Sequence, residues 1–154
     1  MLALAFAIGV IAGLRSMTAP AVVAWGARLG WLDLASTPLA FLGSAAATYV
    51  LTAFMLVELV ADKLPKTPSR TMPGGFVARV VTGALSGAAL TAAAGRSLLA
   101  GAVLGALGGV AGTLGGYQAR TGLVRALKVP DYVVAVAEDI VAVGGALLIV
   151  SAGS

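Results

Sequence analysis

Four of the six acidic residues in the chain lie where water is scarce: Glu58, Asp62, Glu138 and Asp139. Glu58 and Asp62 stand four apart, so on a helix they share one face. Glu138 and Asp139 fall about eight residues into the last apolar segment. A charge inside a bilayer costs about 2.5–3.5 kcal/mol even on the most lenient scale, so such side chains should face protein or water and have a partner. The chemistry available to them is binding of a cation or proton, or a polar lining for a substrate path. The competing reading is a set of ion pairs that fix helix register, with Lys63, Arg70, Arg79 and Arg15 as candidate partners. That reading is the better one for Asp62, Lys63 and Asp139, and binding is the better one for Glu58 and Glu138. Arg15, in Gly13-Leu-Arg-Ser-Met-Thr-Ala-Pro20, sits beside hydroxyls at an expected helix break. Broken-helix N-termini expose free amides, so an anionic group fits there as well as an acidic partner does.

The elements that must hold these residues are apolar helices. Of 154 residues, 60% are hydrophobic and 10% charged, with a mean hydropathy of +1.03. Soluble domains carry about 25% charged residues, so lipid must be the main solvent, and the length fits one domain, 1–154. Segment a runs from Leu2 to about Leu29 and is expected to kink or break between Arg15 and Pro20. Segment b runs from Pro38 to about Leu64, capped by Ser36 or Thr37. A polar Pro/Gly loop occupies 65–75. Segment c covers Phe76 to Ala94, and d covers Ser97 to about Ala119 and continues as a basic stretch to Lys128. Segment e opens at Pro130-Asp131 and ends near Ser151. The expected fold is therefore all-α, a polytopic transmembrane bundle of about five spans.

The basic residues divide unevenly. Lys63, Lys66, Arg70, Arg79, Arg120, Arg125 and Lys128 flank the b–c and d–e connections, and only Arg28 and Arg96 flank the other side. The positive-inside rule then predicts a multi-pass inner-membrane protein with a cytoplasmic N-terminus and an external C-terminus. A hairpin-like or re-entrant segment a would change the N-terminal part of that topology. Gly9-Val-Ile-Ala-Gly13 resembles Gly108-Gly-Val-Ala-Gly112, and each precedes a helix bearing an acid, which suggests an inverted repeat of a–b as d–e. In such a topology Glu58 and Glu138 would lie at similar depth, roughly 10 Å inside the cytoplasmic boundary, and could meet face to face. Gly83 and Gly87 in c, and Gly101, Gly105, Gly109, Gly112 and Gly116 in d, let backbones approach closely in lipid. Segment d is expected to be the central packed helix or a homo-oligomer interface through those glycines.

Cysteine and histidine are both absent, which excludes disulfides, thiol chemistry, the usual zinc sites and histidine acid–base catalysis. No basic face with interleaved aromatics suggests nucleic acid, no cofactor motif is present, and catalysis is not expected, although acid-only or Mg²⁺-dependent chemistry stays open. Gly13-Leu-Arg15 with a following Pro20, then Glu58-Leu-Val-Ala-Asp62-Lys63-Leu-Pro65, then Glu138-Asp139, together resemble the bacterial membrane proteins grouped as domain of unknown function 4126. The most specific element is the E-x-x-x-D-K-x-P string. Where that family often has an acid after the proline, this chain has Lys66. The resemblance implies a multi-span membrane protein and no particular reaction. The leading expectation is a small transporter or channel-like protein for a cation- or proton-coupled solute, with Glu58, Asp62, Glu138, Asp139 and Arg15 as its site. The alternatives are a non-catalytic membrane scaffold, or a lipid-handling protein at the cytoplasmic leaflet that meets headgroups with Lys66, Arg70 and Arg125.

Overall fold

The computed structural model describes residues 2–61 and 73–153, with helices joined by turns and irregular stretches and no strand among the described residues. The helices are α1 (Leu2–Leu14), α2 (Thr18–Arg28), α3 (Ala45–Ala61), α4 (Pro73–Ala93), α5 (Leu98–Leu127) and α6 (Asp131–Ala152), with a short 3₁₀ turn at Ala40–Gly43 before α3. Three helices, over Gly74–Ala93, Leu98–Leu127 and Val133–Ala152, are long and apolar enough to cross a membrane. The apolar α1 and α3 are shorter, with 13 and 17 residues, about 20 and 25 Å at 1.5 Å per residue. Of the five spans expected above, three are thus shown by length and composition.

Segment a divides where Pro20 demands it. In an unbroken helix the Pro20 ring would press on the carbonyl of Ser16 and leave it without its amide donor. The chain instead turns at Ser16–Met17, and Pro20 becomes the third residue of α2, where no intrahelical donor is needed. Segment b breaks as well. Thr37 Oγ1 accepts from Leu39 N ahead of the 3₁₀ turn, and Ser44 Oγ accepts from Ala47 N to cap α3. Ser97 caps α5 through Ala100 N. Lys128, with φ of 54°, ends it in a left-handed turn.

The contact register gives the direction of each helix. Gly13 lies against Gly109, Gly112 and Thr113 of α5, while nearer the N-terminus of α1, Gly9 lies against Gly105, so α1 and α5 run parallel. Arg79, Gly83 and Gly87 of α4 meet Gly109, Gly105 and Gly101 in turn, so α4 and α5 run antiparallel. Arg15 meets Asp139 and Gly26 meets Val150, so α2 runs parallel to α6, whereas Ile11 against Gly145 makes α1 antiparallel to it. Hence α1 and α2 form a hairpin rather than one kinked span. Its turn points into the bundle, and both the N-terminus and the C-terminus lie at the end of the bundle that also carries Gly95.

Three expectations change as a result. The start of α1 and the end of α6, expected on opposite sides, lie at one end of the bundle, because α1 enters it and α2 leaves it at the same end. The inverted repeat fails, because its matching glycines, Gly9 and Gly13 against Gly108 and Gly112, are in parallel helices, and α5 has no break. Five glycines of segment d are internal: Gly101, Gly105 and Gly109 face α4, and Gly105, Gly108 and Gly112 face α1, whereas Gly115 is exposed and Gly116 half-buried. A Cβ on Gly13 would stand 2.5 Å from Thr113 N and one on Gly109 would stand 2.9 Å from Arg79 O, closer than any side chain tolerates, so α5 is the central packed helix.

Candidate functional site

The hairpin turn, Arg15-Ser16-Met17, concentrates the buried charge. Arg15 is fully buried. Its Nε donates to Asp139 Oδ1 at 2.6 Å, its Nη2 makes an ion pair with the same oxygen, and Nη2 also donates to Ala135 O at 3.2 Å. Arg15 thus ties the C-terminal end of α1 to α6, where its charge also suits the negative end of the α1 dipole. Arg79, buried on α4, adds to the same end: its Nε donates to Gly13 O at 3.1 Å, an α1 carbonyl left without a helical partner by the break.

The other side of the turn has the opposite polarity. The first-turn amides of α2 form the positive end of that helix, and Glu58 of α3 reaches them. Ser16 Oγ donates to Glu58 Oε2, and Met17 N donates to Glu58 Oε1 at 3.4 Å. A carboxylate at a helix N-terminus, accepting from a hydroxyl and an amide, is the stabilising arrangement for both partners. Thr18, the first residue of α2, is fully buried, and its Oγ1 has no hydrogen-bond partner among the described residues.

Glu138 points elsewhere. Its Oε2 lies 3.8 Å from Nη1 of Arg120 on α5, with 9% and 13% of the two side chains exposed. Adjacent residues on a helix are about 100° apart, so Asp139 serves α1 while Glu138 serves α5. The expected meeting of Glu58 with Glu138 is therefore replaced by two separate engagements. The helix between them is α2, which packs on both α3 and α6. Asp62, Lys63, Lys66 and Arg70 lie outside the described residues. No group of three or more carboxylate, cysteine or histidine side chains is placed to hold a metal among the described residues.

Of the residues in the three motifs, Arg15, Glu58 and Asp139 therefore converge on one hairpin turn. The family described as Domain of unknown function (DUF4126) matches residues 2–153. The chain belongs to that family. No curated protein and no solved structure matches it. Sequence reasoning placed Arg15, Glu58 and Asp139 in apolar surroundings and offered Arg79 as a partner. It counted Arg120 only as a loop charge and Thr18 only as one of the hydroxyls beside Arg15. The readable signal for Arg79 was its place several residues inside segment c rather than before it.

Proposed function

We propose that this chain is a small membrane transporter or channel-like protein in which a proton or cation moves with a small solute past the hairpin turn. One observation carries the reading: a helical hairpin ends inside the bundle on a buried arginine, and carboxylates from two other helices meet that turn. Irregular backbone at membrane depth is tolerated where protein or a water-filled path surrounds it, and discontinuous helices with nearby charges are how small transport folds build their sites. Glu58 and Asp139 are the central acids, with Glu138 and Asp62 as flanking ones and Arg15 as the counter-charge. With its seven basic flanking residues facing the cytoplasm, the protein would sit in the inner membrane with both termini outside.

A non-catalytic scaffold is the second reading, and one observation favours it. Arg15, Glu58, Glu138 and Asp139 all have partners inside the chain, as register-fixing charges would. Self-association, where it occurs, would use surfaces other than Gly101, Gly105, Gly109 and Gly112, which α1 and α4 already cover.

Proteoliposomes loaded with the pH dye pyranine test the choice, with pH, sodium and chloride gradients imposed in turn. The transport reading expects proton movement in at least one gradient. It also expects that movement to be abolished by Glu58→Gln and by Asp139→Asn in protein that still elutes as one folded species. Proton movement no faster than in empty vesicles, under every gradient, would overturn the proton-coupled reading and favour the scaffold instead.

A further inference from the structure

The connection from α2 to α3, residues 29–44, leaves the bundle at the end that carries both termini. Its sixteen residues hold a single charge, Asp33, where a connection lying in water is expected to be mostly polar. Its path is fixed at the entry. Gly30, with φ of 85°, reverses the chain: Gly30 N donates to Ala27 O at 3.3 Å and Trp31 N to Gly26 O at 2.8 Å, a left-handed helix cap that suits glycine. The chain beyond then alternates. Leu32 and Leu34 are buried, as is Leu42 of the 3₁₀ turn, and all three join the core that includes Val22, Val23 and Val150. Leu29, Trp31 and Phe41 are 57%, 40% and 55% exposed. The segment is a strap held down by three leucines, with its large outward residues uncovered.

Three observations say what covers them. The first is their chemistry. Aromatic side chains collect where a span leaves the hydrocarbon, because a ring tolerates both the apolar and the wet side of that boundary. The second is continuity. The uncovered surface runs on from Phe41 into α3, where Tyr49, Val50 and Phe54 are each more than half exposed, as a helix flank facing lipid should be. The third is a cation at the same end. Arg28, in the last turn of α2, lies 5.7 Å over the Tyr49 ring, whose neighbour is Trp25 at 6.0 Å. It pairs with no carboxylate among the described residues. An arginine stem lying along apolar rings with its charge toward the headgroups is the usual arrangement at a membrane boundary.

We propose that residues 29–44 are a membrane-interface anchor whose partner is the lipid surface. Leu29, Trp31 and Phe41 enter the boundary of the hydrocarbon, and Arg28 meets the lipid phosphates. The strap follows directly from α2 and is pinned to the core by Leu32, Leu34 and Leu42, so it fixes how deep that helix, and the hairpin turn at its other end, sit in the bilayer. The anchor is required equally by a transporter and by a scaffold, and it stands or falls separately from either.

Fluorescence of the full chain in phosphatidylcholine vesicles tests it, because Trp25 and Trp31 are the chain's two tryptophans. Trp25→Phe leaves Trp31 as the single reporter. Its emission should be lost to lipid brominated near the headgroup end of the acyl chain, less so to lipid brominated near the methyl end, and hardly at all to aqueous iodide. Strong quenching by iodide with none by brominated lipid puts the strap in water and overturns the anchor. Shielding from both quenchers means that protein covers the ring, and overturns it in favour of a second copy of the chain. Trp25→Phe also removes the hydrogen bond to Thr52, so a second reporter leaves both tryptophans in place. A nitroxide on Phe41→Cys should collide with dissolved oxygen more often than with a water-soluble nickel chelate. The opposite ratio overturns the proposal.

Discussion

The bundle holds together in two different ways on its two sides. Around α5, the neighbours α1 and α4 approach until backbone touches backbone, and the glycines at 9, 13, 83, 87, 101, 105, 108, 109 and 112 are what permit it. Around α2, contact is made by side chains. Trp25 Nε1 donates to Thr52 Oγ1 at 2.8 Å, the Trp25 and Tyr49 rings meet edge to face at 6.0 Å, and Arg28 lies 5.7 Å over the Tyr49 ring. Backbone contact through glycine has no rotamers to change, so α1, α4 and α5 should move as one piece. Side-chain contact can repack within the same fold. The hairpin has one helix in each region, and its turn is the seam between them, crossed by Arg15 to α6 and Ser16 to α3. The polar groups thus concentrate where the two kinds of packing meet.

The largest effect expected of this comparison is one of sidedness. The chain has no cysteine, so single cysteines at Ala3, Gly95, Ser151 and Val129 can be labelled cleanly with a membrane-impermeant maleimide. The first three should react from one side and Val129 from the other. Ala3 reacting together with Val129 would restore a single first span and remove the seam. Next in size is Arg15→Ala, which removes the guanidinium from Asp139 and should destabilise the protein by about 3–5 kcal/mol in detergent unfolding. Adding Asp139→Ala should recover part of that loss, because the two residues are coupled, and simple additivity would break the pairing. Smallest is the test of the stitched side. Gly105→Ala should cost about 1–3 kcal/mol or more by overpacking. Gly144→Ala, with open space around it on α6, should be neutral or gain up to about 1 kcal/mol. Equal effects at the two glycines would mean that close approach is not what binds α1, α4 and α5.

Much of this was legible before the structure. Composition gave the solvent, Pro20 gave the break, and Ser97, Lys128 and Asp131 marked the ends of α5 and α6 within a residue or two. The glycine spacing marked α5 as a closely packed helix, leaving open whether the contact lay within the bundle or between subunits. Direction was not legible. A break at Arg15–Pro20 is compatible with a kink or with a reversal, and only contacts distant in sequence, such as Gly9 with Gly105 and Gly26 with Val150, decide between them. The error in direction carried over into the site. With α1 and α2 folded back, α2 separates α3 from α6, so Glu58 meets Ser16 instead of Glu138. Asp139, for which an ion pair was the better reading, is the acid bound to the buried arginine. An adjacent Glu-Asp pair offers two faces of the helix, and the sequence does not say which of them looks inward.

The 30 residues of α5 span about 45 Å. To lie wholly within about 30 Å of hydrocarbon it would have to lean by about 48°, beyond the 0–40° that membrane helices adopt. Its basic last turns must therefore emerge from the lipid, and the lean of the remainder follows the thickness of the bilayer. Because α1 is fastened to α5 along its glycines, it must share that lean, whereas the turn that follows it is tied to α3 and α6. A thinner or thicker membrane would then reach the buried arginine as a sideways shear, which makes lipid chain length a physical input to the polar interior of this protein.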